Sequence, residues 1–136
     1  MVNKLPKRLI ILGLFFISFF TIFFFINKQK KYVTDTIIYN LEGNKLNLLV
    51  ADTPAEWEKG LMNYRKPVNF DGMVFVFPER QARTFWNKNT YVNLKLYWID
   101  KEKIIGISDL PSIETTKEMV TVSSPGPADK VIEVIN

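Results

Sequence analysis

The chain predicts an α+β domain, mostly antiparallel β, with a small barrel-like sheet and one short helix. A single N-terminal transmembrane helix precedes it. Three observations carry this reading. Leu9–Ile26 is an 18-residue run with no charged side chain and seven phenylalanines. The 105 residues after position 31 hold seven short apolar or alternating runs separated by turn residues, the pattern of a small antiparallel domain. Between them stands one helix start, Thr53-Pro54-Ala55-Glu56.

As a helix, Leu9–Ile26 spans roughly 27 Å, close to the ~30 Å hydrocarbon core of a bilayer. Lys4, Lys7 and Arg8 precede the run and Lys28, Lys30 and Lys31 follow it. A cleavable signal peptide has a shorter apolar core and small residues at its cleavage site. This run ends in Phe-Phe-Phe-Ile-Asn-Lys, so residues 1–31 read as an uncleaved anchor. The free amine and the short leading segment favour a cytoplasmic N-terminus. Residues 32–136 are then expected outside the cytoplasm, with the membrane as partner of the helix.

Asn27–Asp35 reads as a polar linker. Ile37–Leu41 and Lys45–Ala51 form a hairpin through Glu42-Gly43-Asn44, where Gly43 and Asn44 tolerate positive φ. Thr53 caps the helix, Pro54 takes its first position and Glu56 closes a capping box. Trp57 and Leu61 share one face, the spacing of a core-packing stripe. The helix should end near Asn63, before Pro67. Asn63–Asp71 is a loop.

Met73–Phe77 is a run of five apolar residues, the mark of a strand buried on both faces. Pro78 should end it for lack of an N–H. Thr84–Trp86 reads as a short strand delivering a polar cluster. Leu94, Leu96 and Trp98 alternate with Lys95, Tyr97 and Ile99, a period-2 strand. Asp100-Lys101-Glu102 turns it into Lys103–Ile107. Asp109–Lys117 is a polar loop, Met119–Val122 a weak strand, Ser123–Pro127 a rigid turn and Val131–Ile135 the closing strand.

Charge separates anchor from domain. Six of the 18 basic residues and none of the 14 acidic ones precede Tyr32, leaving 12 basic and 14 acidic side chains beyond it. The sequence pI near 9.3 therefore belongs to the anchor flanks, and nucleic acid is not an expected partner. The chain has no cysteine and no histidine. That removes Ser-His and Cys-His nucleophile systems and Cys/His zinc sites. No clustered Asp/Asn loop offers a calcium site. No metal or cofactor is expected.

Arg83, Trp86, Asn87, Lys88, Asn89 and Thr90 place two cations, two amides, a hydroxyl and an indole within eight positions. As a ligand pocket, Trp86 would stack on a sugar ring or base. Arg83 and Lys88 would attract an anion, and Asn87, Asn89 and Thr90 would orient it. A glycan or an anionic small molecule suits that set. As scaffold, Phe85 and Trp86 are core, Asn89 and Thr90 satisfy loop backbone, and Arg83 and Lys88 are solvated. Asp71 and Asp100 flank the motif strands. They would serve glycoside hydrolysis only if they faced each other at ~5–10 Å, and both also sit beside turns, where aspartate is common.

Four motifs resemble the bacterial and archaeal family known as domain of unknown function 192. They are Gly60-Leu61-Met62, Gly72-Met73-Val74-Phe75-Val76-Phe77, Phe85-Trp86-Asn87-Lys88-Asn89-Thr90 and Ile99-Asp100. The closing Ser-Pro-Gly-Pro-Ala and Val-Ile-Glu-Val also look like the family's C-terminal end. The likeness covers roughly Leu46 to Val134 and implies a compact, largely β domain with no established activity. Asn87 stands where the family usually has methionine, which implies a more polar site here. Asn93 and Lys95 replace its usual proline and acidic residue. The expectation is a membrane-anchored, extracytoplasmic ligand-binding or accessory module of the cell envelope, with Asp100 added to its site residues. The alternatives are a carboxylate-dependent hydrolase of envelope polysaccharide and a structural partner of another envelope protein.

Overall fold

A computed structural model describes residues 35–136. The anchor expected over residues 1–31 lies outside the described residues.

β1 (Thr36–Leu41) and β2 (Asn44–Ala51) form the expected antiparallel hairpin, with Leu41 opposite Asn44. The loop is only Glu42-Gly43, at φ 50° and 87°. A two-residue loop with both residues at positive φ matches the twist of its strands, so Asn44 joins β2 instead of the turn. Thr53 caps α1 (Pro54–Lys59) as predicted. Its side chain accepts from Glu56 N, and the Glu56 carboxylate accepts from Thr53 N at 3.1 Å. The backbone N–H of Asp52, also bonded to that carboxylate at 3.1 Å, is the main cause of a Glu56 pKa below its usual value. The helix stops earlier than expected, at Gly60, where φ is 46° and ψ −137°. Thr53→Ala is expected to lower stability by about 1 kcal/mol; an unshifted denaturant midpoint would mean that the box contributes nothing.

β3 (Gly72–Gln81) pairs parallel with β2, Leu48 opposite Gly72 and Ala51 opposite Phe75. Parallel neighbours need a long crossover, and here α1 and the loop after it provide it. Pro78 does not end the strand. The β3 ladder to its other neighbour breaks after Val76 and resumes at Gln81, so the proline falls where no ladder N–H is needed.

β4 (Thr84–Trp86) and β7 (Thr121–Ser123) make a separate two-stranded sheet. β5 (Leu94–Asp100) and β6 (Lys103–Leu110) form the second predicted hairpin, turned by Lys101 and Glu102 at positive φ. α2 (Ile113–Thr116) is one turn capped by Ser112, in a stretch read from sequence as loop. A single turn is too short to show periodicity. β8 (Ala128–Ile135) runs antiparallel between β3 and β5, giving the order β1-β2-β3-β8-β5-β6. The sheet is open, with β1 and β6 as edges, and is not closed into a barrel. Strand length and alternation encode which face is apolar, not whether the first and last strands meet.

Alternation divides the core between the two faces of this sheet. Met73, Phe75 and Phe77 join Leu94, Leu96, Trp98 and Val131 in one cluster, with Leu61 from beyond α1. Val74 joins Leu48, Ile99 and Ile132 in the other. This is why Met73–Phe77 reads as a continuous apolar run. Gly72 is required by close approach: a Cβ there would lie 1.8 Å from the Glu133 carbonyl oxygen.

Candidate functional site

Four aromatic side chains from three elements line one cleft of about 390 Å³: Trp57 of α1, Phe77 of β3, and Phe85 and Trp86 of β4. Glu58, Ala82, Arg83 and Thr84 complete its wall. The capping box sets the start of α1 and so the position of Trp57, whose indole N–H is spent on the Ala51 carbonyl at 3.1 Å. Its ring lies 5.1 Å from that of Phe77. Behind the wall, Phe85 packs edge-on against Phe75 at 4.8 Å and against the fully buried Trp98 at 5.6 Å. Ring pairs at these spacings hold the cleft on the core.

Arg83 is fixed in this wall. Its backbone N–H donates to Ser124 Oγ at 2.9 Å and its carbonyl accepts from Ser124 N at 2.8 Å. The guanidinium lies 3.7 Å above the Phe77 ring, a cation–π contact. Nη2 donates to the Glu79 carbonyl at 2.6 Å, while Nε is buried with no partner. Burial pushes the Arg83 pKa down, opposed by the charge of Glu79.

The structure brings only part of the predicted set together. Arg83 and Trp86 line the cleft, and Trp86 is 39% exposed, as a stacking surface would be. Lys88 stands beside it, Nζ 5.2 Å from the ring centre. Asn87 is elsewhere. It is wholly buried and donates to the Pro111 carbonyl (3.0 Å) and Thr116 Oγ1 (2.9 Å) while accepting from Val120 N (2.8 Å). Its polarity is used inside the fold, so the more polar site expected from the departure at this position does not follow. Thr90 is buried and donates to the Lys88 carbonyl at 3.2 Å. Asn89 is exposed at φ 51°, a conformation asparagine tolerates, and its carbonyl accepts from Asn63 N.

Asp100 is gripped by the guanidinium of Arg80 through both carboxylate oxygens, and that bond is the main cause of its lowered pKa. Asp71 accepts from Asn47 N at 2.7 Å. The two do not form a catalytic pair. Asp71 bonds Ile135 at one end of β8, whereas Ile99, just before Asp100, lies opposite Lys130. The five steps along the strand from Lys130 to Ile135 span roughly 16 Å, beyond the ~5–10 Å that glycoside hydrolysis needs. Among the described residues, no group of three or more His, Cys, Asp or Glu is placed to hold a metal ion.

Of the four aromatic residues lining the cleft, sequence reasoning finds only Trp86. Trp57 reads as part of a packing stripe and Phe77 and Phe85 as strand core; nothing local marks which core aromatic borders a cavity. It also missed Glu133, which lies on central β8 opposite Met73 and Leu96. This side chain is 4% exposed, and Oε2 has no partner. Burial raises its pKa to about 8. The signal was present: a lone carboxylate in Val131-Ile132-Glu133-Val134-Ile135, a strand with apolar residues on both faces.

The fold and cleft define a small α+β domain with an open six-stranded sheet and one aromatic wall. Residues 37–136 match the family model described as Uncharacterized ACR, COG1430, domain of unknown function 192, and the chain belongs to that family. Two solved structures are similar. One, from Sinorhizobium meliloti and described as a candidate transcription regulator, is 28% identical with a TM-score of 0.56, the match covering 74% of this chain and 78% of that one. The other, a protein of unknown function from Novosphingobium aromaticivorans, is 19% identical with a TM-score of 0.56, covering 76% and 83%. No curated protein matches the chain.

Proposed function

We propose that the protein is a ligand-binding module of the cell envelope, held to the membrane by residues 1–31, and that the cleft between α1 and β4 is its binding site. The observation that carries this reading is the convergence of Trp57, Phe77, Phe85 and Trp86 on one open cavity with a fixed guanidinium in its wall. Ligand sites are concave, largely apolar and supplied with a few oriented polar groups. The uncharged run Leu9–Ile26 supports the membrane part of the reading. The balance of 12 basic and 14 acidic side chains beyond residue 31 gives no basic field for nucleic acid, so the regulator description of one neighbour is not carried over.

Tryptophan fluorescence of the purified protein, titrated with a panel of envelope sugars, tests the proposal. A saturable change is expected, and Trp86→Ala should abolish it. Because Trp86 is already 39% exposed, that substitution should cost only about 1 kcal/mol of stability. No response from the wild type to any member of the panel would defeat the reading.

A further inference from the structure

The three arginines among the described residues are used in two ways. Arg65 meets the Glu114 carboxylate at 2.5 Å, and Arg80 holds Asp100 with two nitrogens. Arg83 alone makes no ion pair among the described residues. The charge of Glu79 acts on it without forming an ion pair. Its position is nonetheless restrained by two backbone bonds to Ser124, one guanidinium bond to a carbonyl, and the Phe77 ring beneath. Nε is buried beyond a ligand's reach and Nη2 already donates to Glu79, so a guanidinium fixed in this way offers a carboxylate its terminal end, where Nη1 remains to donate.

The rest of the wall narrows the class. Trp86 presents an exposed ring and Lys88 adds a second cation beside it. Glu58, also on the wall, accepts hydrogen bonds and offers none when ionised. A simple anion without hydroxyls would leave Glu58 with no donor. A ring carrying hydroxyls and one carboxylate can donate to Glu58, stack on Trp86 and place its charge on Arg83. We infer that the cleft takes a hydroxylated six-membered ring bearing a carboxylate, the chemistry of a uronic acid. This inference rests on the binding reading above and names the ligand class for the same cleft.

The test needs no change to the protein at first. The full chain in detergent micelles is titrated, by calorimetry, with D-glucuronic acid, its methyl ester, D-glucose and benzoate. Glucuronate should bind roughly tenfold to hundredfold tighter than the ester or glucose, the range expected for hydrogen bonds to a charged group. Benzoate should bind more weakly than glucuronate for want of hydroxyls. Arg83→Gln should erase the preference for the acid over its ester, and Arg83→Lys should restore part of it. Equal affinity for glucuronate and its ester would overturn the inference and leave the cleft as a site for neutral sugars. Benzoate binding as tightly as glucuronate would overturn the hydroxylated-ring assignment. Failure of every ring to bind would instead remove the binding reading on which the inference stands.

Discussion

Raising the pH from 5 to 8 is expected to destabilise the folded domain by roughly 4 kcal/mol, at about 1.4 kcal/mol per pH unit. The cause is Glu133. In the unfolded chain its carboxyl titrates near 4.5, whereas in the fold burial raises its pKa to about 8. Below 4.5 both states hold the proton and stability is full. Between 4.5 and 8 only the folded state holds it, so each unit of pH lowers stability. Above 8 both states are ionised and the loss is complete. Glu56 and Asp100, held below their usual values, act only at lower pH, outside this window. Glu133→Gln should make the dependence nearly flat between pH 5 and 8. The check is urea denaturation of both proteins at half-unit intervals. A wild type as flat as the variant would mean that Glu133 is ionised and hydrated in the fold.

Asn87→Ala should cost roughly 3–4 kcal/mol, the upper part of the range for a single substitution. The change strands the Val120 N–H and the Pro111 carbonyl, while the Thr116 hydroxyl keeps its bonds to the Ser112 and Glu118 carbonyls, and each buried orphan carries a penalty of about 1–3 kcal/mol. The three partners lie before, within and after α2, so this one amide fastens that turn and the entry to β7 onto the loop that follows β4. Equilibrium denaturation gives the magnitude. A loss under ~1 kcal/mol together with a loss of sugar binding would assign Asn87 to the ligand instead of the fold.

Much of the fold was legible because its signals are local. The Thr53–Glu56 box, the two hairpins and the Met73–Phe77 strand each announce themselves within a few residues, and each is present. What escaped depends on distant partners. Whether β1 meets β6 is decided by the coiling of the whole sheet, and the parallel pairing of β2 with β3 by the way residues 52–71 pack. Asn87 illustrates the same divide at the site. Beside Trp86 and Lys88 it reads as a ligand contact, but consecutive side chains on an extended segment point to opposite sides, and the one after Trp86 turns inward. Trp57 erred the other way. Its spacing with Leu61 correctly placed it against the core, yet a half-buried ring has a second side, and that side faces the cleft.

The position of β8 bears on the order in which the molecule can be assembled. It is the last of the eight strands to be synthesised, yet it lies between β3 and β5. Until residues 128–135 have left the ribosome, the chain is two incomplete half-sheets, β1-β2-β3 and β5-β6, each with an unpaired inner edge. One of those edges is the apolar Met73–Phe77 strand, the kind of surface to which a foreign strand adds. The six-stranded sheet can therefore be completed only after β8 is available. A nascent chain of this protein is most exposed to misassembly while its final strand is still being made.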